Sequence, residues 1–178
     1  MKKHLIILSL IAVCVVGGFY IFMKNDSAQS SKDSYASGYL TGEYFIDGET
    51  ISLSDGYFEK EIAPDSASKT VVQYFGNEAI GDISGDGVSD VVFLLTRVDG
   101  GSGTFYYAVA AVRTGDTYKG TNAVLLGDRI APQSTEISNG VASINYAIRK
   151  DSDPLSEQPS LGVTLRLSII DSVLSVVK

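Results

Sequence analysis

The residues with the clearest chemistry stand close together: Asp82, Ser84, Asp86 and Asp90 lie in "GDISGDGVSD", which runs straight into the apolar "VVFLL". Counted from Asp82, Ser84 is third, Asp86 fifth, Gly87 sixth, Val88 seventh and Asp90 ninth. That is the D-x-[DN]-x-[DN]-G spacing of calcium loops, with Ser in a slot usually filled by Asp or Asn. In a tightly wound loop, alternate side chains converge on one centre, and oxygens surround the ion at about 2.3 to 2.6 Å. The expected Ca2+ ligands are the side chains of Asp82, Ser84, Asp86 and Asp90 with the backbone carbonyl of Val88, while Gly87 permits the sharp turn. Three carboxylates in so short a stretch repel one another unless a cation neutralises them. The blander alternative is a glycine-rich connection whose aspartates cap turns and face water. Position twelve is Phe93 rather than a bidentate glutamate, so the expected affinity is weak, about 10⁻⁴ to 10⁻³ M. Magnesium suits the loop less, because it wants a smaller octahedral shell.

Such a loop needs strands to hold it. From Tyr39 onward, β-branched and aromatic runs are cut by Asp47-Gly48, Asp55-Gly56 and Asn139-Gly140. These dipeptides supply the positive φ angles of tight hairpins, so three hairpins are expected. "KTVVQYF", "DVVFLLTRV", "TFYYAVAAVRT", "NAVLLG", "LGVTLRLSIID" and "SVLSVVK" read as further strands. The continuous apolar runs "VVFLL" and "YYAVAAV" predict strands covered on both faces, at the centre. "GVTLRLSI" alternates apolar and polar residues, which predicts one wet face. No long amphipathic helix follows residue 24; "SASKTVVQYF" is ambiguous, and Val71 and Val72 tip it toward strand. The expected fold class is all-β, an antiparallel sandwich or curled sheet, preceded by one N-terminal transmembrane helix.

Because a strand and not a helix follows Asp90, an EF-hand is not expected. The loop instead resembles the calcium-binding turns of FG-GAP repeats, in which a "GDxNGDGxxD" element leads into a strand. The resemblance implies the same ligands, Asp82, Ser84, Asp86, Val88 and Asp90, with Ser84 standing where those turns carry Asn. One copy and no internal period exclude a propeller of such repeats. "VVQYFGNEAIGDISGDGVSDVVFLL", "GGSGTFYYAVAAV", "NAVLLGDRIAPQ" and "GVASINYAIRKDSD" together resemble an uncharacterised group of exported bacterial proteins, over roughly Tyr39 to the C-terminus. That likeness implies export and no particular activity.

Three segments follow: an N-terminal membrane anchor over 1–24, a flexible Ser- and Asp-rich linker over 25–38, and an extracytoplasmic all-β domain over 39–178. The 19 residues from Leu5 to Met23 carry Ser9 as their one clearly polar residue and span roughly 28 Å as a helix. Lys2 and Lys3 precede them, so the positive-inside rule sends the rest of the chain outward. The expected localisation is the cell membrane, single-pass, with secretion after signal cleavage as the alternative. Cys14 falls inside this apolar run, so the exported domain must fold without disulfides. Taking Lys2 and Lys3 from the 14 basic residues leaves 12 against 21 acidic ones, a formal charge of −9 outside. That sign excludes a nucleic-acid footprint, which must be basic. The expected partners are the membrane, through the N-terminal helix, and an envelope glycan or protein.

Two other stretches carry readings of their own. In "DGGSGTFYY", a hairpin tip leads to Tyr106 and Tyr107, core aromatics or a stacking surface for a sugar or peptide; alternation lets one of the two face outward. In "LLGDRIAP", Asp128 and Arg129 are strand neighbours that point to opposite faces and need not pair. Catalysis lacks parts, since the one histidine, His4, and the one cysteine both precede the domain. The reading is a calcium-binding, envelope-associated module; its alternatives are an envelope-polymer hydrolase using a carboxylate pair and a metal-free structural subunit of a surface assembly.

Overall fold

The computed structural model describes residues 38–154 and 156–178, so the expected anchor lies outside the described residues. Among the described residues no helix is long and apolar enough to cross a membrane. A 3-10 turn, Gly38–Thr41, leads into strands β1 (Glu43–Ile46), β2 (Glu49–Ser52), β3 (Tyr57–Glu61), β4 (Lys69–Gly81), β5 (Asp90–Asp99) and β6 (Phe105–Thr114). These are followed by β7 (Thr117–Gly120), β8 (Val124–Asp128), β9 (Ala131–Ser138), β10 (Val141–Ile148), β11 (Leu161–Ile170) and β12 (Val173–Val176). The fold is all-β, and its sheets are antiparallel. The ambiguous "SASKTVVQYF" becomes strand from Lys69 onward.

The strands form a β1-β2 hairpin, a central sheet β3-β4-β5-β6 with β7 and β8 both on the far edge of β6, and a sheet ordered β12-β11-β10-β9. The apolar run of β5 is explained by what covers it. Val91, Phe93 and Leu95 join Tyr107, Val109 and Ala111 of β6 on one face, under Tyr39, Tyr44, Ile46 and Ile51 of the N-terminal turn and hairpin. Val92 and Leu94 join Ala108 and Ala110 on the other face, against Ala142, Ile144, Leu167 and Leu174 of the β9–β12 sheet. Each large side chain removed from water in these two cores is worth roughly 1.5–3 kcal/mol. Strand β11 behaves as its alternation predicts: Val163, Leu165, Leu167 and Ile169 pack inward, while Thr164 and Arg166 are exposed.

Residues 121–123 stitch the layers together. Phe45 of β1 donates its N–H to the Thr121 carbonyl (3.1 Å) and accepts the Ala123 N–H (2.8 Å), while the Asn122 side chain gives its amide N–H to the Leu174 carbonyl (3.0 Å) and accepts the Leu174 N–H (2.8 Å). One carboxamide thus takes the place of a strand neighbour for β12. Nearby, β1 lies so close to β7 that a Cβ on Gly120 would collide with the Glu43 carbonyl and the Tyr44 ring.

Two expected hairpins form as read, with Asp47-Gly48 at φ 50° and 86° and Asn139-Gly140 at 52° and 73°. Asp55-Gly56 has the same turn geometry, φ 52° and 76°, and Ser54 and Tyr57 exchange hydrogen bonds of 2.8 and 3.1 Å. The ladder stops there, because β2 pairs with β1 and β3 with β4. Gly56 is claimed instead by the Leu40 carbonyl and the Tyr74 N–H, both at 2.7 Å, so this turn transfers the chain between sheets.

Candidate metal centre

The 82–90 loop joins β4 to β5, whose last and first residues, Gly81 and Asp90, are ladder partners. The loop winds around Asp82. One carboxylate oxygen accepts the Gly85 N–H (2.6 Å) and the other the Gly87 N–H (2.9 Å), and the Ser84 hydroxyl lies 3.5 Å from the first. Gly85 and Gly87 have φ of +80° and +82°, where an added Cβ would meet nothing within 4 Å. Backbone conformation, not crowding, therefore requires glycine. The Gly87 N–H is the largest influence on the Asp82 carboxyl and, with the Gly85 N–H, holds it below the usual range against the opposing effect of burial.

Asp86 is exposed and accepts the Val88 N–H (2.8 Å) through one oxygen, a local turn in which the other accepts no hydrogen bond among the described residues. Val88 is also exposed, and among the described residues its carbonyl accepts no hydrogen bond. Asp90 is placed differently, fully buried at 0 % exposure. One of its oxygens accepts the N–H groups of Ile83 (3.1 Å) and Ser84 (3.0 Å), and the other accepts the N–H of Arg113 in β6 (2.9 Å). Asp90 is thus the clasp that fastens the loop to the central sheet.

The structure brings Asp82 and Ser84 together and sets Asp86 and Val88 on the same short loop, while Asp90 turns inward. Among the described residues no three of His, Cys, Asp and Glu gather as a metal-holding group. The second oxygen of Asp86, the Ser84 hydroxyl and the Val88 carbonyl, with the remaining lone pairs of the amide-bonded Asp82 carboxylate, are all hard donors of the kind calcium takes. The donor chemistry fits calcium, with Asp90 occupied by amides in this conformation.

Tyr106 and Tyr107 do face opposite ways. Tyr107 is buried and donates to Asp47 (2.5 Å), whereas Tyr106 stacks edge-on against Phe75 with centroids 5.2 Å apart. Asp128 and Arg129 depart from expectation and pair with each other, Nε at 2.9 Å and Nη2 at 2.5 Å from one carboxylate oxygen. The reason is that β8 ends at Asp128 and Arg129 has φ +47°, so strand alternation no longer governs its direction. The groove beside them holds Asp128, Asp151 and Asp153. Of these, Asp128 is held below the usual range, chiefly by Arg129, and Asp153 accepts the Lys150 N–H at 3.3 Å.

A second polar cluster is only partly visible in the sequence. Arg97 of β5 donates through Nε to both oxygens of Asp99 (3.0 Å each), and Thr70 of β4 donates to Asp99 (2.7 Å). Asp47, from the β1–β2 turn, lies 3.9 Å from Arg97 Nη1, which is buried without a hydrogen-bond partner. Arg97 and Asp99 are an i, i+2 pair on one face of β5, but Thr70 and Asp47 are distant in the chain, so the folded topology brings them in. No protein-family model, no curated protein and no solved structure matches the chain.

Proposed function

We propose that this chain is a membrane-tethered extracytoplasmic β-sandwich module whose 82–90 loop takes up a structural calcium ion. It serves as an envelope-associated binding module rather than an enzyme. The observation that carries the reading is the winding of the loop on Asp82: two left-handed glycines donate to its carboxylate while Asp86 and the Val88 carbonyl stay open to solvent. Calcium would bridge these oxygens and stiffen the entry to β5, the strand at the centre of both cores.

The test is calorimetry and thermal melting of the full chain in detergent, with calcium raised to about 10 mM, well above the weak affinity of such loops. Binding heat and a higher melting temperature are expected, lost in Asp86→Ala and kept in Asp116→Ala, which lies outside the loop. Absence of both signals would remove calcium. In that event the loop is a metal-free connection held by Asp90, a second reading favoured by the three amides that already satisfy that carboxylate. The tether is tested separately: a mature N-terminus beyond residue 24 would replace the anchor with a cleaved signal.

A further inference from the structure

A cavity of about 280 Å³ opens between the 82–90 loop, strand β7 and the β11–β12 turn; its wall includes Ser84, Val112, Lys119, Ile169, Asp171 and Ser172. We propose that it binds a zwitterionic small molecule of amino-acid or dipeptide size. Lys119 of β7 and Asp171 of the β11–β12 turn both line the cavity, both are exposed, and they form no ion pair with each other; among the described residues neither side chain has a hydrogen-bond or ion-pair partner. A cation and an anion kept apart on one concave surface match an α-carboxylate and an α-ammonium kept apart on one ligand. Val112 and Ile169, also in the lining, offer apolar surface for a side chain. The volume sits near the small end of ligand sites, so a larger solute does not fit.

The same lining excludes other classes. Lys119 repels a bare metal ion, Asp171 repels a phosphate, and among the described residues of the lining no aromatic ring is present to stack on a sugar. In the groove at Asp128, by contrast, Arg129 already occupies Asp128 and the Arg149 guanidinium is held by the carbonyls of Arg129 and Glu157, which leaves Lys150, Asp151 and Asp153 as its open charges, an excess of carboxylates rather than one charge of each sign. Both charges of the smaller cavity remain available.

The inference does not need calcium, and the experiment begins in chelator so that it stands or falls separately from the metal. The full chain in detergent is titrated with L-alanyl-L-leucine, its N-acetyl form, its C-terminal amide and free L-leucine, followed by calorimetry or by shifts of isotope-labelled amides. The dipeptide is expected to bind with Kd below about 1 mM, and blocking either terminus is expected to weaken it about tenfold, or 1.4 kcal/mol. Lys119→Met should abolish the discrimination between acid and amide, and Asp171→Asn that between free and acetylated amine. Asn tolerates the left-handed φ of +51° at position 171, so that variant keeps its turn. Tighter binding of L-leucine than of the dipeptide would support a free amino acid as the ligand, and the reverse a peptide. No binding of either at about 10 mM, equal affinity for all forms, or variants that leave the discrimination intact would overturn the proposal.

Discussion

Strand β5 begins at Asp90 and ends at Asp99, and the molecule treats its two carboxylates in opposite ways. Asp90 is met by main-chain N–H groups alone, two from its own loop and one from β6. Asp99 is met by a guanidinium and a hydroxyl, and the same guanidinium approaches Asp47 from the β1–β2 turn. Main-chain amides are fixed in space by the local backbone, so the first end fixes the shape of the chain. The second end draws on β4, β5 and a distant turn, so it fixes how the hairpin sits on the sheet. A resident cation neutralises Asp99, whereas Asp82 and Asp86 form no salt bridge among the described residues. A dissolved divalent ion therefore has more to add at the Asp90 end.

The largest effect should come from Asp90→Ala, which leaves three N–H groups without an acceptor beneath the loop. At about 1–3 kcal/mol for each unsatisfied buried group, partly relieved by water, a loss of about 3 kcal/mol or more is expected in denaturant unfolding. A loss below about 1 kcal/mol would show that the loop holds itself and that the contrast is false. Arg97→Leu comes next. Its side chain is 14 % exposed, but Asp47 and Asp99 are 53 % and 41 % exposed, so screening brings the expected cost down to about 1–2 kcal/mol. A double-mutant cycle should find stronger coupling to Asp99, at 3.0 Å, than to Asp47, at 3.9 Å.

Acid should weaken both ends together. The Asp82 carboxyl is held low mainly by the Gly87 N–H. For Asp99, burial is the largest influence and acts upward, but the bonds from Arg97 and Thr70 outweigh it and leave the carboxyl low. A depressed carboxyl contributes stability that is present above its unfolded value, about pH 4, and is lost as pH falls through the folded value. Melting temperature should therefore fall below about pH 4, less steeply in Asp82→Asn or Asp99→Asn, and an unchanged slope in both would sever the link. The smallest effect is expected from Tyr107→Phe, about 1 kcal/mol for the bond to Asp47. Burial first, and then Asp47, raise the Tyr107 phenol above its usual range. That stability is present below about pH 10 and is lost as pH rises beyond it, so ultraviolet titration should show this phenol ionising with unfolding.

What the sequence revealed was local. Asp-Gly and Asn-Gly turns, the alternation of β11 and the doubly covered runs of β5 and β6 each follow from a few consecutive residues. The break between β11 and β12 is legible as the meeting of two strand runs, but the tight hairpin there is not, because it places two non-glycine residues, Asp171 and Ser172, at φ 51° and 65°, outside the usual dipeptide signal. Strand β7 was missed although Gly115-Asp116, with Gly115 at φ 61°, marks its hairpin. At the candidate centre, spacing identified the loop but could not distinguish an aspartate aimed at an ion from one aimed at amides. That choice for Asp90 depends on Arg113, which arrives from another strand. The approach of Asp47 and Thr70 to the Arg97–Asp99 pair and the Lys119–Asp171 cavity are likewise products of topology and leave no trace in any short window.

The carboxamide of Asn122 has a consequence for solubility. An outermost strand with a bare main-chain edge is a template on which a second molecule can extend the sheet. At Leu174 that position is already taken by a side chain from the same molecule, beside the exposed valines 173 and 176. Asn122 therefore acts as a stopper against fibril-like growth, and an apolar replacement there would turn the last strand into a landing place for its own kind.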